Sequence, residues 1–429
     1  MRPHARILTS LSIAVAILIT AMAVDRAEAV PVFARKYNTT CFTCHTTPPL
    51  LNDFGLRFQA NGYQLPGTLE RFAQADQPNF AMGVVAQPMI FYNRSQNNLA
   101  DSTGAVAPAV SATSFSGIEV GLFSSASLGA HFSFYTGLPV AIGNGQPATI
   151  DVETANLMYT DALNDGSGSL NFRLGRFRFF IPYQHQVLLA NADPLVYSYD
   201  PIGSIAGVSR ANTLSFADPN FGFSAFGMIP GIGEGLKWDA GISGGTGSDI
   251  DLTKARAFFG SLNQTFYVSN APLRIGGFIY TGFENLTNIN DSIAGAPIQA
   301  HNTMTREGVN FELYDPWTKR IDLYSQYMIG TDDNVDAAGT SYSITAGFVG
   351  VNVIIAPERF YIYGRYDFNN QKETSDNQHQ IDIGFQYHLL PNVFMTGVYT
   401  ISNEVATPNG TKTVDQTNST AGIGFRFGF

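Results

Sequence analysis

Segments of 10 to 16 residues with strict period-two alternation run from Asn79 to the last residue, broken by clusters of Gly, Asn, Asp, Ser and Pro. Alternation at period two is the signature of strands with two chemically different faces. The last segment is the cleanest. Ala421, Ile423, Phe425, Phe427 and Phe429 fall on one face, and Gly422, Gly424, Arg426 and Gly428 on the other. Ile381, Ile383, Phe385, Tyr387 and Leu389 alternate in the same way against Asp382, Gly384, Gln386 and His388. Phe360, Ile362, Gly364, Tyr366 and Phe368 alternate against Tyr361, Tyr363, Arg365 and Asp367.

A soluble β-sandwich also alternates, so composition has to decide. Charged residues make up 14% of the 429 residues, against about a quarter in soluble chains. Aromatic residues reach 13%, and mean hydropathy is +0.01. A sandwich would carry more Lys and Glu on its outward faces, and would not run on for about 350 residues without a linker. The pattern therefore predicts an all-β fold in lipid, an outer-membrane antiparallel β-barrel with its apolar faces outward and its polar faces lining a lumen. Closure leaves no unpaired edge in hydrocarbon. Sixteen strands are expected, starting near residues 80, 114, 129, 151, 169, 219, 235, 254, 272, 302, 317, 340, 358, 379, 392 and 419.

Short turns such as Leu389-Leu390-Pro391-Asn392 are expected on the periplasmic side. Longer loops, Asn97 to Val110, Thr287 to Ala300 and Ser402 to Thr413, are expected outside. The stretch Gln184 to Pro219 is the longest gap and a candidate constriction inside the lumen. It follows Arg173, Arg176 and Arg178, which either line a pore or pair with an anionic cofactor. Asp332, Asp333 and Asp336 read first as ordinary solvated loop residues, with a role in raising the local cation concentration as the alternative.

The N-terminus reads as an export signal. Arg2 and Arg6 precede an apolar run from Leu11 to Val24, and Ala27-Glu28-Ala29 supplies a cleavage site. Residues 1–29 are expected to be removed, which moves the net charge from −10 to −11. That acidity disfavours nucleic acid and suits cations. Residues 30–78 then form a small N-terminal segment, and 79–429 the barrel.

Cys41 and Cys44 are the two cysteines of the chain, and they stand in Cys41-Phe42-Thr43-Cys44-His45. This is the C-x-x-C-H spacing of c-type haem attachment, in which two thiols bond the porphyrin vinyl groups and the following imidazole ligates the iron. A C-x-x-C redox dithiol or half a zinc site is the alternative, but no βαβ pattern and no second Cys/His cluster accompany it. One covalent haem c is therefore expected at Cys41, Cys44 and His45. Met82 is the first choice for the sixth ligand and Met89 the second, with His131 or His388 behind them. Both methionines also read as ordinary apolar residues of a first strand. Phe33, Leu50, Leu51, Phe54, Phe58 and Tyr63 are expected to pack on the porphyrin, with the segment plugging the lumen or its mouth.

Phe33-Ala34-Arg35, the C-x-x-C-H pentapeptide, Pro49-Leu50, Phe54-Gly55, Phe58 and Gly62-Tyr63, followed by a barrel, together resemble the fused monohaem cytochrome-porins of the outer membrane, whose best-known members are iron oxidases. The resemblance covers about 35 residues by motif and the order of the two parts along the chain. It implies a covalent haem with His45 as axial ligand, Met82 near the position of a family methionine, and an iron:cytochrome oxidoreductase activity. It also implies electron passage from extracellular ferrous iron to a periplasmic carrier such as a soluble cytochrome. The function of another class that the sequence supports is a solute or ion porin whose haem-bearing N-terminal segment senses or gates. No Ser/His/Asp arrangement at a recognisable spacing supports a hydrolase.

Overall fold

The computed structural model describes residues 33, 37, 39–48, 50–64, 81–100, 104–115, 118–128, 131–143, 146–150, 152–179, 219–231, 235–244, 256–289, 298–333, 341–372, 376–390, 392–406 and 414–428. The export signal, residues 65–80, the expected constriction from Gln184 to Pro219 except its last residue, Asp336 and Phe429 lie outside them.

Near the N-terminus, α1 (Cys41–Cys44), β1 (His45–Thr47), β2 (Leu50–Leu51) and α2 (Asp53–Ala60) form a small unit in which β1 and β2 pair antiparallel. The barrel begins with β3 (Ala81–Gln87), β4 (Met89–Asn97), β5 (Val110–Phe115), β6 (Ile118–Ser127), β7 (Phe132–Gly143), β8 (Gln146–Ile150), β9 (Thr154–Tyr159) and β10 (Asn171–Phe177). It continues through β11 (Asn220–Ile229), β12 (Leu236–Ser243), β13 (Arg256–Val268), β14 (Ala271–Ile289), β15 (Ile298–Tyr314) and β16 (Ile321–Asp333). The final strands are β17 (Tyr342–Ala356), β18 (Phe360–Gln371), β19 (Asp376–Leu390), β20 (Val393–Ala406) and β21 (Val414–Gly428).

All the barrel pairings are antiparallel, and β21 closes onto β3 and β4. β3 and β4 are two halves of one strand, separated by Pro88, which has no N–H to give to the ladder. Their partners β6 and β5 are likewise two halves, and β8 and β9 share the edge of β7. The segments thus make a closed sixteen-stranded barrel, the number the sequence predicts.

Burial follows the alternation with the sense of a lipid protein. In β16 Asp322, Tyr324, Gln326, Met328 and Asp332 are buried, while Ile321, Leu323, Tyr327 and Ile329 are exposed. Ile381 and Ile383 are exposed on β19, and Asp382 and Gln386 between them are buried. Apolar side chains therefore cover the outside and polar ones the inside, as hydrocarbon requires.

The inner face is tied together by ion pairs across neighbouring strands. Arg306 pairs with Asp332 at 2.8 Å, and Arg365 bridges Asp367 at 2.8 Å and Asp382 at 2.7 Å. Asp332 is fully buried, so it is part of the wall and not the solvated loop residue expected. Buried aromatic rings share the inner surface with Asn, Gln, Ser and Thr side chains. A Cβ on Gly350 of β17 would lie 2.3 Å from Cζ of Tyr324, so the ring of β16 lies directly on bare backbone.

The turns at one end are short. Val268 pairs with Ala271 across Ser269 and Asn270, both at positive φ (50° and 63°), the geometry of a two-residue hairpin whose twist matches the strands. At the opposite end the strands run further than expected: β14 reaches Ile289, β15 starts at Ile298, and β20 reaches Ala406. Loop composition there is rich in Asn, Thr and Gly and hides the continued pairing.

Candidate functional site

The N-terminal unit is organised by one side chain. Asn52 caps α2 by accepting from the Gly55 N–H at 3.0 Å, and its amide donates to the carbonyls of Phe42 at 3.2 Å and Thr43 at 3.1 Å. A single asparagine thus satisfies an open helix N-terminus and locks α1 against α2. Asp53 in the first turn and Arg57 in the last suit the helix dipole. Phe33 and Tyr63 stack at 5.0 Å, and Phe58 meets both edge-on, at 4.9 and 6.0 Å.

This unit sits inside the barrel, against strands at its short-turn end. Arg274 of β14 holds the Asp53 carboxylate at 2.6 Å, and the Tyr267 hydroxyl of β13 donates to the same group at 2.6 Å. Lys237 of β12 donates to the Gln59 amide oxygen at 2.7 Å. Asn171 of β10 donates to the Ala60 carbonyl at 2.9 Å, and Ser133 of β7 to the Gly62 carbonyl at 3.0 Å. Tyr63 stacks on Tyr135 of β7 at 5.0 Å. On another part of the wall Phe42 meets His388 of β19 at 5.1 Å and Tyr361 of β18 at 6.3 Å. Leu50 joins the inner apolar cluster that contains Met89. Short turns face the periplasm in such barrels, so the segment occupies the periplasmic end of the lumen.

The structure separates the sequence-predicted site residues. Cys41 and Cys44 are the first and last residues of α1, and His45 is the first of β1. Met82 is 55% exposed, and the register Ala86↔Phe427 puts it on the outward face, away from the segment. Met89 faces inward and is buried, and its sulfur accepts from the Gln87 amide at 3.2 Å. His131 stands in the turn before β7, its Nδ1 2.9 Å from the Thr160 carbonyl oxygen. Arg173 faces inward and pairs with Asp239, Arg178 pairs with Glu153, and Arg176 donates to the Pro219 carbonyl at 3.4 Å. The three arginines do not form one row.

The expectation of one covalent haem c is corrected. Among the described residues no group of three or more His, Cys, Asp or Glu side chains comes together to hold a metal ion, and neither cysteine is in a disulfide. The second axial donor assigned to Met82 points to lipid. Phe33, Phe58 and Tyr63, expected on a porphyrin face, pack on one another and on Tyr135. Motif spacing sets the distance between two thiols, but tertiary packing decides which donors reach them.

Burial raises the Cys41 thiol above its ordinary range, opposed in part by a backbone hydrogen bond and by Arg426. Burial, with the neighbouring Cys41, pushes Cys44 up to about 11. At pH 8 about one Cys44 in a thousand is then thiolate, so alkylation of the native protein is expected to run about 100-fold slower than for an ordinary thiol. Mass spectrometry after iodoacetamide treatment reads this. In denaturant both cysteines should label fully, and a chain that keeps either one unlabelled there would show that its thiol is covalently blocked.

Among the residues that position the segment, Asp53 and Gln59, and Arg274, Lys237 and Ser133 that face the segment, were not singled out by the sequence, and Gly62 stood only in a motif of the resemblance. A signal was present, since alternation puts Arg274 and Lys237 on the inward face, where a long cation needs a partner.

No family model matches the chain, and no curated protein matches it. Solved structures do resemble it. An anion-selective porin from Comamonas acidovorans is 14% identical, with a TM-score of 0.54 over 82% of this chain and 100% of that one. The outer-membrane expressed OmpT of Vibrio cholerae is also 14% identical, with a TM-score of 0.50 over 82% and 98% of the two chains. A loop L8 deletion mutant of OmpT is 12% identical, with a TM-score of 0.50 over 81% and 99%. At that identity the likeness is one of fold: this chain is a bacterial outer-membrane barrel of sixteen strands, built like a porin, with its own N-terminal residues inside the lumen.

Proposed function

We propose that the protein is an outer-membrane pore for ions or small polar solutes whose periplasmic end is occupied by residues 41–64. The observation that carries this reading is the ring of contacts from Asp53, Gln59, Ala60, Gly62 and Tyr63 to the inner faces of β7, β10, β12, β13 and β14. A polar lumen wide enough for an inserted helix conducts when the insert is absent. The electron conduit read from the sequence required the haem, and its expected partners, ferrous iron and a periplasmic carrier, depended on the same group. They form no part of this proposal.

Planar-bilayer recording tests the reading. The full chain is expected to conduct in small or infrequent steps, and a variant lacking residues 41–64 in large, long-lived ones. A deletion variant that still migrates as a folded barrel on an unboiled gel but carries no current would sink the pore.

A further inference from the structure

We infer that the inserted segment is a releasable gate and that the Asp53–Arg274–Tyr267 contact is its latch, an inference that rests on the pore reading above. The ground is how Arg274, Asn171 and Tyr267 are placed on the far side of their docking contacts. Arg274 holds Asp53 through Nε and Nη2, and through Nη1 it holds Glu312 of β15, a carboxylate of the wall itself. When Asp53 leaves, the guanidinium keeps an anionic partner inside the barrel. Asn171 donates to the Gly168 carbonyl at 3.0 Å as well as to Ala60, and its own oxygen accepts from the Asp161 N–H at 2.7 Å. Lys237 shares its strand face with Asp239, which pairs with Arg173 of the wall. Tyr267 is 41% exposed at the short-turn rim, so water replaces Asp53 on its hydroxyl without burial of an orphan.

Arg274 and Asn171 therefore keep a wall partner and Tyr267 gains water when the segment goes, while the Ser133 hydroxyl gives up its bond to the Gly62 carbonyl. A permanent core element would instead leave buried donors stranded, at the full desolvation cost of each. Asp53 differs in this respect, because its ionised partner is the Arg274 it shares with Glu312. Asp53 and Glu312 thus compete for one guanidinium: a stronger hold by Glu312 makes release easier, and a weaker hold makes it harder.

The competition sets opposite signs for two substitutions in the full-length protein. Asp53→Asn is expected to raise open-state occupancy in planar bilayers about tenfold, the effect of losing one charge-assisted contact. Tyr267→Phe should act in the same direction and less strongly. Glu312→Gln should lower occupancy, since Arg274 then has Asp53 as its remaining carboxylate in this contact. Unboiled gel migration establishes that each variant is a folded barrel. If Asp53→Asn and Glu312→Gln both leave occupancy at the parental value, or shift it in the same direction, the latch is overturned. That outcome differs from failure of the pore reading, in which the chain lacking residues 41–64 itself does not conduct.

Discussion

Arg365→Met is expected to lower the temperature at which the compact, unboiled form of the barrel is lost by more than any lipid-facing substitution. The guanidinium donates to Asp367 and Asp382, and the side chains of all three residues are at most 2% exposed. Without it two carboxylates remain buried with no cation between them. Breaking a buried pair by removing one partner costs about 3–5 kcal/mol, because the other charge stays desolvated. Thr400 and Gln380 still donate to Asp382, so Asp367 suffers most. The triple variant Arg365→Met, Asp367→Asn, Asp382→Asn should recover most of the loss, since replacing all the charges removes the stranded ones. Gel-shift melting of the three proteins checks this. An unchanged midpoint for Arg365→Met alone would mean that the lumen hydrates these carboxylates and that the bridge is dispensable.

The second large effect is expected from Gly62→Val, just past the other end of α2 from Asp53. Gly62 has φ +65°, a region a β-branched residue avoids at considerable cost. A Cβ there would lie 2.3 Å from Cγ2 of Thr160 in the wall, and the Gly62 carbonyl is the acceptor for Ser133. Strain, clash and the lost hydrogen bond all fall on the segment and not on the strand ladder. Conductance in planar bilayers is therefore expected to rise towards that of the chain lacking residues 41–64, while the melting of the barrel stays near the parental value. Thr160→Gly in the same chain removes the clash but not the strain, and should restore only part of the closed state. A Gly62→Val protein with parental conductance would show that residues 61–64 contribute nothing to seating.

The barrel was legible in the amino-acid sequence because its rule is local. Lipid outside and polar lumen inside impose period two on every strand, so residues two apart report the face directly. The alternation of Ile381, Ile383 and Phe385 against Asp382, Gly384 and Gln386 needs no knowledge of any other strand. Strand number follows by counting, and the errors fall where polar residues continue a strand past the membrane, as in β20 up to Ala406.

The site is a different matter. The pentapeptide from Cys41 to His45 is also local, but its spacing fixes only the order of the donors along the chain, and the described residues bring no three of them together. What faces that turn was not readable, because Met82 and Met89 are seven residues apart on a strand interrupted at Pro88. A change of one residue in register moves a side chain from lumen to lipid. Only closure of the barrel, through Ala86 against Phe427, puts Met82 outside and leaves Met89 within. The seat of the N-terminal segment is likewise tertiary: Asp53 meets Arg274 across 221 residues of chain, and no pattern shorter than the closed barrel brings them together. The sequence by itself determined the fold class, the strand faces and the existence of a distinct N-terminal segment. The tertiary structure decided where that segment sits and which wall residues hold it, since contacts between elements far apart in the chain depend on register and closure, which no local period encodes.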